Sequence, residues 1–519
     1  MGCEFFSGFT VGARSTAPAG CYASLRERAM RSLRKSRSAE AGSSVRLRFT
    51  LSSFAVLCAL CSTCAAAPPQ TAAAVAPSKP LTVQEAISYA LAHYPAVQAA
   101  IQRYVAAREG VGLAKTSYLP SLNMIYQDAR TTRNAVAGVL LPNSVIPNPS
   151  GTVIAPSSQT FWQSGAGILL SEEPFDFGYR RAELRLAEST EKRTQEQIVL
   201  TRLDVAASVA DASLLVLAAN QQVKASQADV ERRSVFARSV HALVDAHLRP
   251  GADASRIDAE LAEARTRLVV AQEALEVDSA AFAQVLGLAG SHVEVTAGPF
   301  LQAPADETWT APAATAHPSA QIGEERIEES QLRIQALTRS YFPRFLVQAV
   351  TTARGSGTAS TGKPLGGTNG LWPDTADNWA AGASVTFQGL GFLTIREQKK
   401  IEEANRSQQQ ALYDQTLQNV TGQTAQAEAV LDAARKVAAN TPVELKASQD
   451  SETQAVARFK AGLGTIVDVA EAQQLLLQAQ IDDSLATLNI WRALARLAAA
   501  QGDLQPFIDL ANRAESGRP

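Results

Sequence analysis

The sequence predicts a mainly α fold with a membrane β component: a duplicated unit of long antiparallel coiled-coil helices plus β-hairpins, with four strands per chain. Three observations carry this reading. "SYLP" at Ser117–Pro120 returns as "SYFP" at Ser340–Pro343, 223 residues later, each with a Pro 25 residues upstream (Pro95, Pro318) and a Gln three beyond that (Gln98, Gln321). Gly178 to Gly251 and Gly389 to Gly462 both span 73 residues. Along each half the hydrophobic period changes from helical to two and back to helical.

The chain has 519 residues, 46% hydrophobic and only 6% aromatic, enough to bury a sizeable core and biased towards small side chains. All five cysteines (Cys3, Cys21, Cys58, Cys61, Cys64) fall at the start. There an Arg-rich stretch (Arg26 to Arg48) precedes the apolar run "FTLSSFAVLCALCSTCAAA", which is the layout of an export signal. Met30 is a second candidate start. Cleavage near Ala66 leaves a Cys-free chain, as suits an exported protein without disulfides. The rival reading makes Cys64 a lipidated N-terminus. Residues 1–67 hold nine Arg or Lys against three Asp or Glu, so removing their +6 from the whole-chain −2 leaves −8. An acidic mature chain argues against a nucleic-acid partner.

Beyond a Pro/Ala-rich linker (68–80), the first repeat is expected over 81–290. Thr82 and Glu85 make a capping-box pattern before a helical run, and Pro120 ends the helical region because the residue before a Pro is pushed to extended geometry. "SLNMIYQDART" then alternates, as does "RFLVQAVTTAR" after Pro343. The returning strands are "QTFWQSGAGILL", ending near Pro174, and "NWAAGASVTF", ending at Phe387. Strands of about ten residues suit a tilted bilayer crossing. Trp162, Trp372 and Trp379 stand near their ends, where an interfacial girdle would lie; a soluble hairpin with Trp at its rim is the alternative.

Each strand pair leads into a long Ala-, Glu- and Gln-rich helical stretch that would reach on the order of 100 Å. A return helix follows. Leu261, Leu268, Leu275 and Phe282 recur every seven residues with Ala264 and Ala271 between them, and Ala472, Ala479, Ala486, Ala493 and Ala500 hold the same period in the second half. Heptads indicate a coiled-coil seam, and small residues let backbones approach. A linker is expected over 291–316, the second repeat over 317–502 and a tail over 503–519.

Four strands cannot close a barrel, and an open sheet edge in lipid leaves backbone groups unpaired at several kcal/mol each. Closure has to come from other copies. The duplicated layout, with "HYPAVQAA", "SYLPSL" and "FKAGLGTIVDVAEAQ", resembles the TolC-like outer-membrane efflux protein family (outer membrane factors) over nearly all of the mature chain. The resemblance implies a homotrimer with a 12-stranded barrel and a periplasmic α-helical tunnel. It also implies a periplasmic adaptor (membrane fusion protein), an inner-membrane transporter as energy source, outer-membrane lipid around the barrel and no cofactor. Its function would be export through a multi-component efflux or type I secretion system. The alternative from another class is a periplasmic coiled-coil adaptor or scaffold, which would need a β-rich carrier domain.

Asp468 and Glu471 lie three apart on one helix face, so three-fold repetition would turn them into carboxylate rings. The resemblance places the tip constriction there. Two solvated carboxylates near a helix N-terminus remain the other reading. Phe459 stands where the best-known member has a Tyr and Gly464 where it has an Arg, so that member's polar gate links do not carry over. In the first half "HLRPGADASRID" reads as the matching tip, with Asp258 corresponding to Asp468. Gly251, Gly462 and Leu463 are the expected adaptor-contact residues, although loop geometry alone would account for the glycines. The five histidines show no metal-ligand spacing. With no phosphate loop or nucleophile motif either, an enzyme is not expected.

Overall fold

The computed structural model describes residues 79–132, 160–304 and 312–516, apart from positions 358, 360–362, 364, 374 and 388. The leader, Cys64 and all but the last two residues of the 68–80 linker lie outside the described residues. In chain order the first repeat runs α1 (Val83–His93), α2 (Pro95–Thr116), β1 (Ser121–Thr132), β2 (Thr160–Phe175), α3 (Tyr179–Asp245) and α4 (Gly251–Val285). The second runs α5 (Pro318–Arg339), β3 (Arg344–Ser356), β4 (Thr375–Thr386), α6 (Gly391–Lys460) and α7 (Ile466–Ala500), followed by α8 (Gln505–Ser516).

The capping box forms as its residues predict. Glu85 N–H donates to the Thr82 hydroxyl at 3.2 Å, and Thr82 N–H donates to the Glu85 carboxylate at 2.9 Å, satisfying two orphan amides of α1. Pro95 and Pro318 each occupy the first position of a helix, where a missing N–H costs nothing. Their recurrence has a packing reason. Each return helix ends at a left-handed glycine, Gly287 (φ 80°) or Gly502 (φ 87°), set against the start of α2 or α5 respectively. A Cβ on Gly287 would sit 3.7 Å from Pro95 Cδ; one on Gly502 would lie 2.9 Å from Pro318 Cδ and 2.8 Å from the His317 ring. Thus α4 stacks end to end with α2, and α7 with α5.

α3 is 67 and α6 is 70 residues long, giving rods of about 100 Å at ~1.5 Å per residue. α6 runs straight through Pro442 as one helix. α3 packs against α2, α4, α5 and α7, and α6 against α5 and α7. The helices therefore form one layer in the order α2 with α4, α3, α5 with α7, α6. Small residues hold its seams: Ala264 and Ala271 are buried in α4, and Ala472, Ala479, Ala486 and Ala493 in α7. The leucines at 261, 268 and 275 are half-buried beside them, so alanine, not leucine, sets the backbone approach.

The middle of the layer carries a belt, against the central stretches of α3 and α6. Trp491 of α7 is fully buried against Phe300 and Phe507, with ring centroids at 5.0 and 6.1 Å, and its indole N–H donates to the Gln302 carbonyl at 2.9 Å. Leu81 pairs with the 291–316 segment, donating to the Glu294 carbonyl and accepting from Thr296, both at 2.9 Å. Residues 503–519, expected as a tail, carry α8, whose Phe507 and Leu510 are buried in the same core. The middle of α3 is apolar enough by composition to cross a bilayer. Its Val209, Ala210, Leu214 and Leu217 are instead buried in this core, so that apolar stretch serves packing.

The four strands make one antiparallel sheet in the order β1-β2-β3-β4. Pro174 ends up inside β2, at a register irregularity between Glu172 and Phe175, as a residue without an N–H requires in a paired strand.

Candidate functional site

The sheet has two chemically distinct faces. Along one, Leu122 and Met124 of β1 lie opposite Leu170 and Ile168 of β2, and the face continues through Val347 of β3 to Trp379 and Val385 of β4. All of these are exposed large apolar side chains. The other face carries Asn123, Gln127, Gln163, Gln348 and Thr352 around the buried Leu169 and Val350, and Gln348 Nε2 donates to Ser171 Oγ at 3.1 Å. Apolar outside and polar inside is the alternation of a membrane barrel wall. β1 and β4 are the sheet edges.

Trp162, Trp372 and Trp379 gather at the sheet end away from the helices. Trp379 is 79% exposed. Trp162 lies 5.7 Å from the Arg130 guanidinium. Trp372 lies in the β3–β4 loop, its ring 6.1 Å from that of Tyr126. That loop reaches the outward face through glycines: a Cβ on Gly355 would collide with the Trp372 carbonyl oxygen. The opposite rim holds an aromatic cluster that the Trp positions did not reveal. Phe177 stacks on Phe342 at 4.9 Å and meets Phe175 at 4.6 Å, with Phe387 exposed just past the end of β4, whose Thr386 pairs with Arg344. Aromatics flanking an apolar band on both sides match the two girdles of a bilayer-spanning wall. The signal was present in "PFDFG" and "YFPRF", masked because Phe is an ordinary core residue.

At the far end of the rods the two helix turns are built alike. Leu248 N–H donates to the Leu243 carbonyl at 2.8 Å, and Leu463 N–H to the Arg458 carbonyl at 2.9 Å, following left-handed His247 (φ 59°) and Gly462 (φ 75°). Both are Schellman turns. The counterpart of Gly462 is therefore His247, not Gly251, which begins α4. Likewise Asp253 occupies the third position of α4 as Asp468 does in α7, so Asp258 is not the partner of Asp468. The cause is length: α6 is longer than α3, 70 against 67 residues, and the equal glycine spacings hid the difference. The buried alanine phase, 264 with 479 and 271 with 486, aligns the return helices correctly. Asp258 instead meets His241 Nε2 at 2.9 Å across the first hairpin. Leu248 and Leu463 crown the two turns, 70% and 74% exposed.

Asp468 closes a capping box. Its carboxylate accepts from Thr465 N–H at 3.0 Å, and its own N–H donates to the Thr465 hydroxyl at 3.3 Å. The Thr465 backbone bond, then the hydroxyl, hold the Asp468 carboxyl below its ordinary range. Asp468 and Glu471 line one groove with Arg458 across the second hairpin, so the structure brings both carboxylates together at the tip. The two hairpins meet in an apolar plug of Phe236, Val240, Ile257, Phe459, Ile466 and Val469.

Farther up the first hairpin a buried ionic network fastens α3 to α4. Arg233 Nε donates to Asp229 at 2.9 Å and Nη1 to Glu260 at 3.0 Å. Arg233 and Asp229 are almost wholly buried, where losing one partner strands the other charge. Sequence reading passed over it, since charges on a long helix usually face solvent. Among the described residues no three His, Cys, Asp or Glu side chains come together as a metal-binding group.

The model of the outer membrane efflux protein family matches residues 86–288 and 313–503. Solved structures share the fold at low identity. CusC, described in terms of transmembrane channel formation, is 16% identical with a TM-score of 0.67, covering 81% of this chain and 92% of its own. VceC, an outer-membrane protein of Vibrio cholerae, is 17% identical with a TM-score of 0.66, covering 81% and 96%. The MtrE outer-membrane channel of Neisseria gonorrhoeae is 18% identical with a TM-score of 0.65, covering 81% and 89%. No curated protein matches the sequence. The fold is shared with these outer-membrane channels, and with two matched segments spanning both repeats the chain belongs to the outer membrane efflux protein family.

Proposed function

We propose that three copies of this chain join edge to edge into a 12-stranded barrel in the outer membrane and that their helices continue it as a periplasmic tunnel. The observation that carries this is the sheet: four strands, two free edges and one exposed apolar face. Unpaired edges in lipid cost several kcal/mol per backbone group, and pairing β4 of one copy with β1 of the next removes them. The tube is a passive exit duct of a multi-component efflux or type I secretion system. An inner-membrane transporter supplies the energy and a periplasmic adaptor (membrane fusion protein) joins the two.

The adaptor meets the tips at Leu248, Gly462 and Leu463, because the Schellman turns leave these leucines without cover. Gly251, one turn back, contributes through its lack of a side chain. Asp468 and Glu471, repeated three times, form acidic rings at the tip constriction. The open state described for MtrE supports a gated reading of the same fold.

Native mass spectrometry of the detergent-extracted protein tests this, with planar-bilayer recording as the second measurement. Three chains and a steady conductance are expected. A water-soluble monomer in the periplasmic fraction refutes it.

A further inference from the structure

A groove of about 660 Å³ lies between α3 and α6 and is floored by the last residues of α7 and the cap of α5. Arg496 lines it, five residues on from belt-facing Trp491 and so about 140° round the helix. Leu200, Leu203 and Val420 supply apolar walls, and Asn419 and Gln423 supply uncharged amides.

Asp204 is the groove's unmatched group. Its side chain has no hydrogen bond or ion pair among the described residues, and burial pushes its carboxyl up, with His317 nearby opposing. Arg496 does not answer it: that guanidinium lies 3.6 Å from Asp211, which also binds Arg492 at 2.9 Å. An exposed carboxylate at the edge of an apolar wall favours a positively charged occupant by direct charge complementarity. An anion would meet the Asp204 charge instead. The volume lies within the ~300–1,000 Å³ of small-molecule sites.

We propose that this groove binds an organic cation with an apolar body, the charge against Asp204 and the body along Leu200, Leu203 and Val420. The groove is built from one chain, so the proposal stands independently of trimer formation.

Ethidium, a cationic fluorophore, is the probe, titrated by anisotropy into the purified full-length protein in a non-ionic detergent. Fluorescein serves as the anionic comparator. Saturable ethidium binding is expected, weakened about tenfold or more by Asp204→Asn, which is the loss of one charge pair. Gln423→Trp, filling the groove from an exposed position, is expected to abolish it, while Arg496→Gln leaves it intact or tightens it. Circular dichroism confirms folding of each variant. No saturable binding to the wild-type protein, equal affinity in Asp204→Asn, or equal binding of fluorescein overturns the proposal, and none of these bears on bilayer conductance.

Discussion

Arg249, in the turn of the first hairpin, lays its guanidinium 4.4 Å over the ring of Phe459 in the second and donates to the Phe459 carbonyl at 2.9 Å. One side chain thus joins the two tips of a single chain. Phe459 is almost fully buried, so the cation–π contact is partly desolvated and worth about 1–2 kcal/mol.

Arg249→Ala is expected to loosen the paired tips. In planar bilayers the open fraction should rise while the single-channel conductance of the open state stays constant. An unchanged open fraction would show that the hairpins are held closed by the apolar plug alone.

The two left-handed glycines make a matched comparison. Gly287→Ala meets only ordinary contacts, so its cost is the backbone conformation, about 1–2 kcal/mol. Gly502→Ala adds collisions at 2.8 and 2.9 Å with His317 and Pro318 and is expected to lose clearly more. Denaturant unfolding of the two variants reads the difference, and equal losses would disprove the close-packed junction.

His317 caps α5 by accepting from Ser319 N–H at 3.2 Å. Burial pulls its pKa below 6.5, opposed by a hydrogen bond to the Ala499 backbone and by Asp204. A depressed histidine pKa means that the unfolded chain takes up the proton first. The stabilisation is full above the unfolded value of about 6.5 and is lost as pH falls towards the folded pKa. Thermal midpoints should therefore drop on acidification below that value, with a shallower slope in His317→Asn.

The proposed carboxylate rings are tested by ion selectivity. Asp468→Asn and Glu471→Gln should each shift the reversal potential in a salt gradient towards anions, more strongly at low ionic strength. Because the Thr465 bonds keep Asp468 ionised below the usual carboxylate range, the wild-type cation preference should persist into mild acid. Two solvated carboxylates remote from the pore would leave the reversal potential unmoved.

The sheet faces predict opposite tolerance. Ile168→Arg on the apolar face should cost about 2–4 kcal/mol near mid-membrane, and Gln127→Arg on the polar face little. The yield of heat-stable oligomer in outer-membrane fractions separates them. Equal yields would mean that the exposed apolar face does not meet lipid.

By itself the sequence determined the duplication, the caps, the strand pairs and the long rods. These rest on local chemistry: Thr82 and Glu85 find each other three residues apart, Pro95 and Pro318 start helices wherever they stand, and hydrophobic period distinguishes rod from strand. Legibility of the site was partial, because Asp468 and Glu471 sit one turn apart on one helix and come together without tertiary help. Only the tertiary structure decided which residues crown the first tip. Spacing between glycines cannot register extra residues inside a continuous helix, whereas the packing of Ala264 and Ala271 can, since a buried seam fixes phase. The same limit hid Arg249 on Phe459, Arg233 between Asp229 and Glu260, and Asp204 in its groove. Each depends on residues far apart in the chain, and side-chain chemistry has no reach along a sequence until folding brings the partners within a few ångströms.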